Sequence, residues 1–315
     1  MNKWNTYRNI ILNFSLILIL SGTAAYSQNN PKHYTIGIMR NLFNSVNIND
    51  AGAVCNVWVK ELNKLNKNKY DVDFEIYNNF NEVSDALKEG KLAFLALNVS
   101  NYIKYKNKFN LSPQFVASFK GDSVFRYQLL VRKEDNYKNL KDLKKTKIGI
   151  TTKYDNTTPS LWFDINCAEN NIHNKNYFKE IIASPNESQL ILNLFFGKID
   201  ACIVPEKIFK LMAELNPQIQ NRLIPIISSL YYLLSVMCFT KNFTDKTDRE
   251  YFIENALDMQ KLITGRQVLA LMKIDKLVLF REDDLNSYLN LLNEHKNINR
   301  SANIFTKQNF QNSSD

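Results

Sequence analysis

Strand-length apolar runs alternate with segments of helical spacing at residues 34–97, and this rhythm restricts the chain to few architectures. Residues 34–39 (Y-T-I-G-I-M) form the first run. From residue 51 to 65, Val54, Trp58, Leu62 and Leu65 recur at steps of three and four behind Asp50, a good helix cap. Residues 70–77 alternate strictly, with Val72, Phe74 and Ile76 on one face and Asp71, Asp73 and Glu75 on the other, which predicts a half-exposed strand. A short amphipathic helix over 81–89 ends at Gly90, and the wholly apolar run L-A-F-L-A-L at 92–97 reads as a central strand. Strands separated by helices predict a parallel α/β sheet, whose ligands bind beyond the carboxyl ends of its strands.

Two further strands, 115–119 and 125–132, flank Gly121, and a brief helical turn follows at 139–143. The rhythm then restarts. Strands are expected at 147–151, 177–183 and 201–204, and helices at 160–171, 187–196 and 206–215. Two β-rich pieces, 223–227 and 233–239, read as a crossing back to the first half, and helices over 248–263, 266–272 and 285–292 close the chain. The expected organisation is a first lobe of residues 28–125 and 236–296, a second lobe of 126–235 and a polar tail of 297–315.

Before the first strand, Lys3 and Arg8 precede an apolar run from residue 10 to 20 that ends in small residues. Residues 1–27 therefore read as a cleavable signal peptide, and the mature chain as exported to the periplasm. A formal charge of +9 favours anionic ligands. The lysines are scattered, with no arginine-rich stripe, so no nucleic-acid partner is expected. The four cysteines, Cys55, Cys167, Cys202 and Cys238, form no C-x-x-C pair and sit in apolar segments. Buried free thiols are expected, with a Cys167–Cys202 bridge as the alternative. His33, His173 and His295 are far apart, so no metal site is expected. The sequence has no G-x-S-x-G, H-E-x-x-H or Gly-rich phosphate loop, which speaks against catalysis and against a cofactor.

A lobe interrupted by a second lobe and then completed by helices resembles the α/β, two-lobe fold of type II periplasmic solute-binding proteins, with two crossover strands as a hinge. The run F-R-Y-Q-L-L-V-R-K-E-D-N-Y-K-N-L-K-D-L-K-K-T-K-I-G-I-T-T-K-Y-D-N-T-T-P-S-L, from residue 125 to 161, is similar to the phosphonate-binding proteins of ABC transporters. That family carries an N-L-x-D-L turn, a strand and a hydroxyl-rich helix start in this order. Further matches are G-K-I-D-A at 197–201, L-I-P-I-I at 223–227 and G-R-Q-V-L-A-L-M-K-I-D-K-L-V-L-F-R-E-D-D-L at 265–285. The resemblance covers roughly residues 33 to 296. It implies a monomeric protein that captures a small anionic ligand, phosphonate- or phosphate-like, for a membrane permease. A sensor that docks on a membrane receptor with the same fold is the alternative. Two departures stand out: Pro159 replaces a residue with an N–H, and Asn98-Val99-Ser100 replaces a Pro-bearing turn.

The candidate ligand contacts follow from position. Asn156, Thr157, Thr158 and Ser160 surround a helix start after a strand, where backbone N–H groups and the helix dipole favour an anion, although the same residue types also simply cap helices. Ser100 and Tyr102 follow the central strand of the first lobe. Arg40 follows its first strand and offers a permanent charge, for an oxyanion or for a surface salt bridge. Arg126 and Tyr127 lie on the crossing, and Tyr231 could wall off the ligand together with Tyr232. Asp200, beside a second-lobe strand, is either a hydrogen-bond partner for a ligand amine or hydroxyl, or an ordinary turn residue.

Overall fold

Each half of the chain builds its own sheet, and the two are joined by a short ribbon. The computed structural model describes residues 31–43, 46–66, 69–118, 121–152, 157–172 and 176–301. The described residues from His33 onward belong to one compact unit. The chain runs through β1 (Lys32–Met39), α1 (Ile48–Leu65), β2 (Tyr70–Tyr77), α2 (Phe80–Glu89), β3 (Leu92–Asn98), α3 (Val99–Phe109) and β4 (Ser112–Ser118). It crosses through β5 (Val124–Phe125) into β6 (Tyr127–Arg132), β7 (Lys147–Thr151), α4 (Thr158–Glu169), β8 (Glu180–Ser184), α5 (Glu187–Phe195), β9 (Ala201–Pro205), α6 (Glu206–Leu215), α7 (Pro217–Arg222) and β10 (Leu223–Ser228). It returns through β11 (Tyr232–Leu233) to β12 (Ser235–Phe239), α8 (Lys246–Asp258), α9 (Ile263–Leu271), β13 (Lys276–Leu279) and α10 (Asn286–Ser301).

The first sheet has the order β13-β4-β12-β3-β1-β2, the second β10-β6-β9-β7-β8, and β5 pairs only with β11. Strand β3 is parallel to β1, and β7 is parallel to both β8 and β9. The returning β12 lies antiparallel between β3 and β4, and β6 lies antiparallel to β9. The two crossings pair Tyr232 with Phe125 and Leu233 with Val124. This is the α/β, two-lobe arrangement expected from the sequence.

Three differences from expectation matter for the site. The expected strand 125–132 is broken at Arg126, because β5 belongs to the ribbon and β6 to the second sheet. After β3, Ser100 and Tyr102 belong to a helix, α3, capped by the Asn98 side chain, and not to a loop. The last helix runs on through Ser301 and packs against α4, where His295 Nε2 lies 3.2 Å from Asp164 Oδ2.

Burial follows the sheets. One face of the first sheet packs on α1, α8 and α9 around Phe94, Phe239, Phe243 and Phe252, whose rings lie 4.8–5.4 Å apart. The outer face of the second sheet packs on α5, α6 and α7. Between these, one continuous cluster joins Leu95 and Tyr102 of the first half, Tyr232 and Leu233 of the ribbon, Tyr288 and Leu291 of α10, and Trp162 and Phe163 of α4. The four cysteines are buried and free, and burial pushes the Cys55 thiol up to about 12.

Candidate functional site

Helices α1 to α6 each come after a strand in the chain, except that a 3-10 turn precedes α1, and their first turns differ in charge. Those of α1, α2, α5 and α6 contain Asp50, Glu82, Glu187 and Glu206, which compensate the positive helix end. The first turns of α3 and α4 contain no acidic residue. Both helices leave interior strands, β3 and β7. Two uncompensated helix ends thus start at the carboxyl edges of the two sheets.

At the α4 end, Thr157 is exposed, its carbonyl accepts from Leu161 N at 2.8 Å, and its side chain makes no cap bond. Pro159 occupies the first turn, where its fixed φ suits the helix and its missing N–H breaks no helical bond. Thr158 and Ser160 are only 1% and 6% exposed, so anything they touch is shielded from bulk water. Asn156 lies outside the described residues. One turn on, buried Asp164 faces His295. The sequence did not anticipate this pairing, and only the contact between distant helices reveals it.

At the α3 end the chain satisfies much of its own need. Asn98 Oδ1 accepts from Asn101 N at 2.9 Å and from Ser100 Oγ at 3.0 Å, and Val99 N donates to Leu234 O at 2.8 Å. Tyr102 faces the core, and burial pushes its hydroxyl up to about 12.

Next to the ribbon, Arg126 and Tyr231 meet around Glu206, a residue that sequence reasoning missed. Arg126 donates through Nε and Nη2 to Glu206 Oε2 and Oε1 at 2.8 and 2.7 Å, a bidentate pair. Its guanidinium lies 5.1 Å from the Tyr231 ring centre, and Tyr231 Oη donates to Glu206 Oε2 at 3.5 Å. Lys210 Nζ adds a contact at 3.0 Å to Glu206 Oε1. The hydrogen bond to Arg126 lowers the Glu206 pKa and raises that of Arg126. This guanidinium is therefore already neutralised. Tyr127 is fully buried; its N–H donates to Ser229 Oγ and its carbonyl accepts from Ser229 N, both at 2.9 Å. The available signal for Glu206 was its place at the start of a helix directly after the strand 201–204.

Two residues lie elsewhere. Arg40 is exposed and donates to Asn78 Oδ1 at 3.1 Å, so it leans toward the edge strand β2 and away from α3. Asp200 precedes β9, and its Oδ2 accepts from Lys147 N, the first residue of parallel β7, at 2.8 Å. It also lies 3.3 Å from Arg132 Nη2. Asp200 thus ties down the amino edge of the second sheet, opposite the edge from which α4 leaves. Among the described residues no group of His, Cys, Asp or Glu is arranged to hold a metal ion.

A family model described as "ABC transporter, phosphonate, periplasmic substrate-binding protein" matches residues 58–285. Among solved structures, the chain is similar to a binding protein component of an ABC phosphonate transporter from Pseudomonas aeruginosa, with TM-score 0.58 and 13% identity over 86% of this chain and 89% of that one. PhnD1 from Prochlorococcus marinus, in complex with methylphosphonate, gives 0.57 and 15% over 86% and 100%. XAC2383 from Xanthomonas citri, bound to ATP, gives 0.61 and 8% over 85% and 98%. No curated protein matches the chain.

Proposed function

The chain belongs to the periplasmic substrate-binding proteins of phosphonate ABC transporters, and from this premise we propose that it captures a small phosphonate- or phosphate-like anion between its two lobes for a membrane permease. The observation that carries this reading is the pair of helix ends, α3 and α4, that face the carboxyl edges of their sheets without an acidic residue in the first turn. Helix amino ends attract anions through dipole and N–H groups, and buried hydroxyls add donors without adding charge. Thr158 and Ser160 supply such hydroxyls. Pro159 has no N–H to offer, so side-chain donors carry more of the binding here than in a helix start without proline. Because Glu206 already neutralises Arg126, the attraction comes chiefly from the helix ends and not from that guanidinium.

In this reading the lobes are residues 28–125 with 236–296 and residues 126–235, the protein acts as a monomer, and the ribbon of β5 and β11 is the hinge. The ligand stabilises the closed form by the contacts it makes only there. Export through the leader at residues 1–27, which lies outside the described residues, completes it.

Calorimetric titration with phosphate, phosphite, methylphosphonate and other small anions tests the proposal. One of these should bind and raise the melting temperature. Thr158→Ala combined with Ser160→Ala should weaken that ligand by roughly tenfold or more while the protein stays folded, since hydrogen bonds to charged groups contribute about 1.5–3 kcal/mol each. Unchanged affinity in the double variant would refute the α4 end as the site.

A further inference from the structure

The first sheet ends in a strand whose outer edge is only partly covered. Strand β2 is the last in the order and pairs with β1 alone. In a strand the N–H and C=O groups of every second residue point to the same side. Tyr70 and Val72 turn theirs away from β1, and two asparagines cover them. Asn66 Nδ2 donates to Tyr70 O at 3.1 Å, Asn63 Nδ2 donates to Val72 O at 2.8 Å, and Asn63 Oδ1 accepts from Val72 N at 2.9 Å. Just past the strand, Asn78 N donates to Glu82 Oε2 at 2.8 Å. Phe74 and Ile76 lie in the same outward register between these two covers, and no group among the described residues bonds their outward N–H and C=O. An open edge of this kind is a template for a further strand, which is why folds usually cover it.

This stretch of edge is the floor of an open groove of about 790 Å³, formed by Phe74, Glu75, Ile76 and Tyr77. A space of that size takes a molecule and not a single ion. Its two walls differ in character. On α2, Glu82, Asp85, Ala86 and Glu89 line it as one stripe of the helix, and on α1 Asn49, Gly52 and Asn56 do so. Along β2, Val72 and Phe74 belong to the cluster under α1 and Tyr77 to the cluster under α2, so Glu75 shares the α2 side. That side therefore offers four carboxylates. Arg40 is the cation among the described lining residues, and Lys88 Nζ pairs with Asp85 at 2.8 Å, which still leaves an excess of negative charge. In a chain of formal charge +9 this groove is a local inversion. The α1 wall is uncharged and roomy, since a Cβ at Gly52 would meet nothing within 4 Å.

We infer that this edge takes up an extended, lysine- or arginine-bearing segment of a partner polypeptide as an added strand, bonded through its backbone to Phe74 and Ile76. An extended chain sends successive side chains to opposite faces, so one segment can present basic residues at every second position to the carboxylates on the α2 side and uncharged ones to α1. Main-chain bonds then supply affinity, and the alternate side chains supply specificity. A second copy of this chain laid edge to edge fits less well, because it brings like carboxylates together. The groove is also unsuited to the anion of the proposed function, so this inference stands apart from that reading.

The test is a labelled peptide of about six residues, lysine alternating with threonine and both ends blocked, titrated into the full-length chain. Fluorescence anisotropy reads binding, and hydrogen exchange is read at Phe74 and Ile76. The expected result is saturable binding with slowed exchange at these two amides and none at Leu130 of the second sheet. The same peptide methylated on all its backbone nitrogens keeps its charge and loses its donors, and should bind about tenfold more weakly or worse. Glu75→Gln combined with Glu89→Gln, both exposed positions, should weaken the unmethylated peptide about fivefold. Spermidine, which carries the charge without a peptide backbone, should leave the exchange unchanged. Absence of saturable binding overturns the inference, as do equal binding of the methylated peptide, unchanged affinity in a folded double variant, or equal protection by spermidine. Protection of Phe74 and Ile76 in a peptide-free dimer overturns it too, by giving the edge to a second copy. The two peptides on the unaltered protein are decisive even if the double variant fails to fold.

Discussion

The two sheets place a helix at the same point, after an interior strand and without an acidic residue in the first turn, yet they finish that helix differently. At α3 the chain caps itself, with Asn98 holding Asn101 N and Ser100 Oγ. At α4 the residue before the helix makes no side-chain cap, and proline fills the first turn. The α3 end is thus largely satisfied by its own sequence. The α4 end is built from buried hydroxyls on a helix enclosed by β7 on one side and α10 on another. The Asn98 cap is therefore expected to act on stability, and the α4 end, in the proposed reading, on affinity.

The largest expected effect separates one parallel strand of each sheet, β1 and β7. Gly37 in β1 and Gly149 in β7 both sit where a side chain would collide. A Cβ at Gly37 would come within 2.5 Å of Tyr77 Cε2 and 2.8 Å of Leu92 Cδ1. At Gly149 it would meet Leu190 Cδ2 at 2.6 Å and Ile199 Cδ1 at 3.0 Å. An aromatic ring yields less than the tips of two aliphatic chains. Gly37→Ala should cost about 3 kcal/mol and Gly149→Ala about 1 kcal/mol, read from urea midpoints. Equal costs would mean that the two strands are packed with the same tolerance.

Next in size is the ribbon between the sheets. Glu206→Gln removes the bidentate partner of Arg126 and should cost about 2 kcal/mol at pH 7. The effect depends on pH in a defined sense. The folded pKa of Glu206 is lowered, first by its bond to Arg126, so its contribution is fully present above about 4.5 and is lost as pH falls through the folded value. The difference between the unaltered protein and Glu206→Gln should therefore shrink on acidification below pH 4.5. A difference that stays constant to pH 3 would show that the cost is one of packing and not of charge.

Much of the fold was legible because it is written in local periodicity. In β2, Val72 and Phe74 are buried and Asp71 and Glu75 exposed, as their alternation predicts. The rhythm of strands and helices was equally plain in both halves. Helix α3 was harder to see: Lys104, Lys106 and Lys108 dilute its apolar face, and Val99, Tyr102 and Phe109 are its only buried residues, although its cap Asn98 was in view. Helix α4 carries almost no amphipathic signal, since Trp162, Phe163, Asp164, Ile165 and Cys167 are all buried. It is covered from two directions, and the second cover, α10, lies more than a hundred residues away. The same distance problem hid the Arg126–Glu206 pair and left Asp200 open between ligand contact and turn. The edge of a sheet to which a residue belongs is settled by strand direction, and β7 and β9 reveal that only when paired.

The smallest expected effects bear most directly on the contrast between α3 and α4. Replacing a capping Asn by Ala exposes helix N–H groups that the side chain had satisfied and costs about 1 kcal/mol. Asn98→Ala should show this cost with or without a ligand, because the bonds to Asn101 N and Ser100 Oγ exist in the protein itself. Thr157→Ala should cost less than Asn98→Ala in the ligand-free protein, because its side chain is not the helix cap. Thermal melts of the two variants, each with and without an anion that calorimetry shows to bind, divide the cases. If Thr157→Ala destabilises the ligand-free protein as much as Asn98→Ala does, the two helix ends are held alike and the contrast between them fails. If instead its deficit appears only when the anion is present, Thr157 acts on the ligand.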